Sequence, residues 1–367
     1  MDPRVEKLAD ILVNYSIEVK KGDWVVINGD AIAAPLIRAA TRLVLEAGGN
    51  PTVMLSDGRI GETQLRHSSD EQLKWVSPVS KLIYDKADAF ITIIAGDNTR
   101  SLSGIDPARQ ALRSTATREL TETFLKRSAA GKLNWVITQF PCHAYAQETD
   151  MSVRDYADFV YASTFADQPD AVARWQAFHE KQEKLIQWLK GKDKVHVRGQ
   201  NIDLALSIKG RSFINADGKK NMPDGEIFTG PVEDSVSGWV RFSYPALRGG
   251  MEVDGVEFQF YGGKITKATA AKNQAYLVSQ LDTDAGARYL GEFAIGTNYG
   301  IQTFSKNILF DEKIGGTLHM AIGSGYPETG SKNQSAIHWD FICDMRADSE
   351  ILVDGELFYK DGQFTID

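Results

Sequence analysis

Apolar positions in the first 140 residues switch repeatedly between two spacings. Val5, Leu8, Ala9, Ile11 and Leu12 recur at helical intervals, and GDWVVING at 22–29 then reads as a short apolar strand closed by glycine. The spacing predicts a helix over 33–47, with Leu36, Ile37, Ala40, Leu43 and Val44 on one face and the glycine pair 48–49 as its stop. PTVMLSD gives a second strand, 87–96 a third, 107–127 a long helix and 134–141 a fourth strand. Strands separated by helices imply a parallel sheet with right-handed crossovers.

A helical stretch over 152–191 follows, with Trp175, Phe178, Leu185, Trp188 and Leu189 as one apolar stripe. From Asp193 the texture changes to short alternating runs such as DLALSIKG, GWVRFSY, GTLHMAIG and GELFYKDGQFTI, parted by Asp-Gly or Gly-Gly pairs that signal hairpins. The expected architecture is therefore an α/β N-terminal domain with a mainly parallel sheet (1–190, including the helical bridge). An α+β, turn-rich, β-rich C-terminal domain (191–367) follows it. VDGVEFQFYGGKI at 253–265 echoes VDGELFYKDGQFTI at 353–366, which reads as two hairpins built from the same turn chemistry.

Composition narrows the function by exclusion. With 41 Lys plus Arg against 49 Asp plus Glu, a formal charge of −8 leaves no basic field for a phosphate backbone, so nucleic-acid binding is not expected. The two cysteines, Cys142 and Cys343, make neither a disulfide framework nor a four-thiolate zinc site, which suits a reducing compartment. Charges interrupt the first sixteen residues and no window reaches about 18 apolar residues, so neither a secretory signal nor a membrane span is expected. A cytoplasmic location follows as the expectation.

The first half offers little chemistry. GDAIAAP at 29–35 lacks both the three-glycine fingerprint and the P-loop lysine, and no G-x-S-x-G elbow occurs. Cys142 and His143 are adjacent and diverge, while His67, His179 and His196 stand alone. The second half differs. His319 lies in the apolar run TLHMAI, and His338 and Asp340, two apart in AIHWDFI, project to one face of a strand. Imidazole and carboxylate converging on one pocket suit Zn, Co, Mn or Fe. Glu226 in NMPDGEIFTGP and Glu292 in ARYLGEFAIGTN have apolar flanks, so each needs a buried partner, either a metal or an arginine.

NMPDGEIFT, LGEFAIGTN, HMAIGSGYPE and SAIHWD, in this order, resemble the metal-binding segments of the aminopeptidase T family of dinuclear metallopeptidases. The opening KLADILVNYSIEVKKGDWVVINGD and the AAPL at 33–36 resemble it too. The resemblance implies a ligand set of Glu226, Glu292, His319, Tyr326, His338 and Asp340 around two divalent cations (Zn, Co or Mn). It also implies removal of N-terminal residues from peptides with a free N-terminus, by a hydroxide that the two metals activate, and a homodimer. Tyr326 would ligate or donate to the developing oxyanion, and either Glu292 or Asp340 would bridge. The stretch between Tyr326 and His338 is short for that family, and such a loop shapes substrate access or a dimer contact.

Two rival readings belong to other classes. The same fold resembles iron-dependent dioxygenases that open dihydroxypyridine rings, in which His319, His338 and Asp340 would suffice for a single Fe(II). Retention of both glutamates favours the dinuclear hydrolase. The third is a non-catalytic, metal-stabilised binding protein, which the oxygen-rich ligand set disfavours because structural zinc sites are usually tetrahedral and thiolate-bound.

Overall fold

The computed structural model describes residues 2–366 and divides the chain into two compact units: residues up to Trp175 with Gly218–Pro223, and Gln176–Asp217 with Asp224 onward. The division falls inside the long helix Ala171–Leu189, upstream of the expected boundary near 190. The aromatic stripe explains this. Trp175 is fully buried against Phe165 and Tyr15 of the first unit, whereas Trp188 stacks on Phe358 of the second, at 4.9 Å.

The first unit contains the parallel sheet that the pattern predicts. Its strands Trp24–Asp30, Asn50–Ser56, Ala89–Ile94 and Asn134–Gln139 lie in the spatial order second, first, third, fourth, all parallel. Val25, Val26, Ile27, Ile91 and Val136 are fully buried, as expected for strands covered on both faces. Two features were not anticipated. Three short helices, Gly58–His67, Asp70–Lys74 and Pro78–Lys86, link the second and third strands and bury only Leu73 and Ile83 between them, too few positions to set a period. A fifth strand, Asn221–Met222, returns from much later in the chain to pair with Asn134–Gln139.

The expected bridge over 152–191 forms two helices, Val153–Ser163 and Ala171–Leu189. Between them Phe165 adopts a left-handed backbone (φ 56°), which no helix continues through.

The second unit is built of two large antiparallel sheets and a two-stranded one, Ala246–Arg248 with Met251–Val253. One has eight strands, and the two echoing hairpins form its opposite ends: Glu257–Tyr261 with Lys264–Thr269 at one, Glu356–Lys360 with Gln363–Phe364 at the other. The other has five strands in the order His338–Asp344, Thr317–Gly323, Leu290–Gly296, Glu226–Thr229, Ile214–Ala216. The inner faces meet over one apolar core, in which Phe258 of the larger sheet packs edge-on against Phe341 of the smaller, 5.1 Å apart.

Candidate metal centre

The five-stranded sheet sorts its residues by parity. Ile227, Phe293, Ile295, Leu318, Met320, Ile322, Trp339, Phe341 and Cys343 point into the apolar core. The alternate positions carry Glu226, Glu292, His319, His338 and Asp340 to the other face. Small residues keep that floor low: Ala321 lies between Glu292 and Asp340 in one row across three strands, and Ala294 lies opposite His319. Gly296 faces Glu226, and a Cβ there would stand 2.1 Å from the Ile314 carbonyl oxygen.

Glu292 reaches this face through an irregularity. Leu290 pairs with Ile322, so a continued register would set Glu292 against Met320 on the core side. A bulge at Gly291 shifts the pairing, and Glu292 sits opposite Ala321 instead. Glycine is required at the bulge, because a Cβ on Gly291 would lie 2.3 Å from the Ser324 carbonyl oxygen.

The side chains converge closely. His319 Nε2 lies 3.0 Å from Glu226 Oε2 and 3.9 Å from Glu292 Oε1, while His338 Nε2 lies 3.2 Å from Glu292 Oε2 and 3.5 Å from Asp340 Oδ1. Glu292 therefore turns one oxygen to each histidine. The Nδ1–H of His338 donates to the Ser324 carbonyl at 2.8 Å, which directs Nε2 at the acids. Tyr326 packs edge-on to His338, with ring centroids 5.2 Å apart, and leans on Phe228 at 5.3 Å; it is 38% exposed. The short 327–337 loop is pinned by Asn333, whose Nδ2 donates to the Gly323 and Gly286 carbonyls.

Two residues that sequence reasoning passed over complete the cluster. Glu312 offers an oxygen within 4.8 Å of ligand atoms of His319 and Asp340. The fully buried Lys313 forms an ion pair with Glu312 and stands 3.8 Å from Glu226. Both lie in FDEKIGG, a charge run that reads as a solvated face. The available signal was the buried flanks, Phe310 before and Ile314 after.

Charge balance in this buried site is governed by desolvation against mutual attraction. Burial works to raise Glu226 and Asp340, but Lys313 and His319 outweigh it at Glu226, and His338 does so at Asp340; both carboxyls lie below their usual range. Burial dominates at Glu292 and raises it. It also pushes Glu312 up to about 8, with Glu226 and Asp340 adding to the effect against Lys313. Burial disfavours charge on the imidazoles, yet the surrounding carboxylates raise His319 to about 9 and His338 to about 11. Burial and the charges of Glu292 and Asp340 raise the Tyr326 phenol, which stays protonated.

The remaining histidines stay apart from the cluster. His179 pairs with Asp217 and His196 with Asp203, while Cys142 and Cys343 are free and buried.

A sheet face of carboxylates and imidazoles aimed at one another is a donor set for divalent metal, which defines a metal-binding protein. The chain belongs to the thermophilic metalloprotease (M29) family, which it matches over residues 1–364. It is 25% identical to aminopeptidase T of Thermus thermophilus over 401 residues, covering 98% of this chain and 96% of that one. Wild-type AmpT from Thermus thermophilus shares the fold with a TM-score of 0.85 at 24% identity, covering 99% of both chains. A 2,5-dihydroxypyridine dioxygenase from Pseudomonas putida KT2440 shares it more distantly, with a TM-score of 0.57 at 12% identity over 99% and 97% of the two chains. As a metalloprotease the protein requires a divalent metal, and the cluster fits one. Three groups of carboxylate oxygens and imidazole nitrogens have ligand atoms within 4.8 Å of one another, a donor set that suits a divalent cation, and the buried His319 Nδ1 lacks a hydrogen-bond partner. Among the described residues no helix is long and apolar enough to cross a membrane.

Proposed function

We propose that the protein is an aminopeptidase that removes the N-terminal residue of peptides at a centre for two divalent cations, Zn, Co or Mn. The observation that carries this reading is the sharing of Glu292 by two ligand groups, Glu226–Glu292–His319 and Glu292–His338–Asp340. Glu226 and His319 would hold one cation, His338 and Asp340 the other, and Glu292 would bridge them. When bound, such a pair supplies Lewis acidity, which brings a water toward its hydroxide form near neutral pH and polarises the scissile carbonyl.

The chain's own groups do the rest. Lys313 fixes the Glu226 and Glu312 carboxylates from below. Glu312 belongs to neither group that shares Glu292, and it carries the proton from the attacking water to the leaving amine. Tyr326, a protonated phenol packed beside His338, would either donate to the developing oxyanion or join the ligand set as its sixth member. The acidic surround attracts the substrate's ammonium, so an unblocked N-terminus is required.

The mononuclear iron reading requires His319, His338 and Asp340 to meet at one ion. Among the described residues no ligand group contains both histidines, and this favours the dinuclear site. The free cysteines suit a cytoplasmic location, and the family resemblance suggests a homodimer, which light scattering on the purified chain tests. For the activity, protein stripped with chelator and reloaded with Zn or Co should hydrolyse leucyl p-nitroanilide and leave its N-acetyl form intact. Equal cleavage of the two would overturn the exopeptidase reading.

A further inference from the structure

The helix Ala171–Leu189 buries one stripe, along which Phe178, Leu185 and Leu189 are apolar and Gln182 is not. Gln182 is nonetheless only 1% exposed. A buried amide costs free energy unless it is hydrogen-bonded, so an aliphatic residue would serve packing better at this position. Among the described residues Gln182 Oε1 accepts no hydrogen bond, which leaves the NH2 group to account for the residue.

That group reaches the end of the five-stranded sheet. Nε2 donates to the Glu226 carbonyl at 2.8 Å, to Thr297 Oγ1 at 3.0 Å and to the Ala216 carbonyl at 3.2 Å, two hydrogens shared among three oxygens. Ala216, Glu226 and Gly296 form one row across three strands and each stands at a strand end, with Thr297 following directly. The turn that delivers Glu226 is thus held carbonyl by carbonyl. Asn298 Nδ2 donates to Asp224 at 2.8 Å, the Thr297 amide to Gly225 at 2.9 Å, and Gln182 to Glu226 itself. Glu292, His319 and Asp340 lie inside their strands, where the ladder fixes them, whereas Glu226 opens its own.

We propose that Gln182 is a positioning residue for the metal centre: by holding the Glu226 backbone from outside the sheet, it fixes where the Glu226 carboxylate stands relative to His319. The proposal rests on the two-cation reading, in which Glu226 and His319 share one cation. Glu226 Oε2 stands 3.0 Å from His319 Nε2, and a carbonyl released at Glu226 lets the strand end pivot away from that geometry. Loss of such an outer contact typically costs roughly 10- to 100-fold in metal affinity or activity. The cation assigned to His338 and Asp340 does not depend on it.

Gln182→Met completes the apolar stripe and removes the NH2 group. The full chain, stripped with chelator and titrated with Zn or Co, should bind one ion as the wild type does and the other roughly 10-fold or more weaker. The visible spectrum of the Co-loaded variant should change, and kcat for leucyl p-nitroanilide should fall by a similar factor while KM holds. Leu185→Ala, which removes packing from the same stripe, should lower the midpoint of denaturant unfolding and leave both affinities and the spectrum unmoved. Gln182→Asn, whose amide is one carbon shorter, supplies the same measurement if the methionine variant does not fold. Affinities and a Co spectrum equal to wild type in the Gln182 variant would overturn the proposal and make the residue a tie between helix and sheet. A wild-type chain that takes up fewer than two ions would instead remove the two-cation reading beneath it.

Discussion

The two faces of the five-stranded sheet are made by alternate residues of the same strands, yet they do opposite things. Phe293, Met320 and Phe341 bury carbon against the second sheet, while Glu292, His319 and Asp340, one position away in sequence, gather charge that nothing apolar could satisfy. The first face supplies the stability that lets the second hold several acids within a few ångströms. The difference teaches that a one-residue slip in register is the most damaging error available to this sheet, since it would send carboxylates into the core. The bulge at Gly291 makes such a shift deliberately, for Glu292 alone.

Substitutions on either side of that division should therefore fail in different ways. Glu292→Gln keeps the size of the side chain and removes its charge. Hydrolysis should fall on the order of 1,000-fold, the several kcal/mol that metal-ion stabilisation supplies, with loss of bound metal and an unchanged circular dichroism spectrum. Full activity in that variant would take Glu292 out of the site. Its neighbour Phe293→Ala should instead cost ~3–5 kcal/mol in denaturant unfolding and keep the metal stoichiometry. Metal loss without loss of stability would break the two-face account. Gly296→Ala, which sets a methyl against the Ile314 carbonyl, should cost ~1–3 kcal/mol through overpacking.

The smallest expected effect is in pH. In the metal-free protein His319 and His338 titrate above their unfolded values, so their contribution to stability is complete below about 6.5 and is lost as pH rises through about 9 and about 11. Metal must displace those protons, so loading should release protons in buffer-dependent calorimetry, and affinity should weaken as pH falls. Melting curves that move identically with pH in the metal-free and loaded protein would contradict this.

Much of this architecture was legible in the chain. Helical and alternating spacing located the four main strands of the first unit and the longer alternating strands of the second, but not Leu290–Gly296, which is buried on both faces and shows no alternation. His338 and Asp340 could be assigned to one face by counting two. Glu292 could not, because Gly291 reverses the parity and pairing with Met320 is what simple alternation implies. Glu312 and Lys313 were hidden in a run of charges whose burial depends on strands far away in sequence. The strand Asn221–Met222 is only two residues long, and its partner lies some 80 residues earlier, so no local pattern marks it. The helices between 58 and 86 bury too little to leave a periodic trace.

The central claim is that one face of a small antiparallel sheet holds two cations through a shared Glu292. Metal content per chain, measured by mass spectrometry on protein purified after loading with Zn or Co and exhaustive removal of free ion, tests it most directly. The account predicts close to two divalent ions per wild-type chain and a marked loss in Glu292→Gln. A single ion, iron above all, retained equally by both proteins, would contradict it.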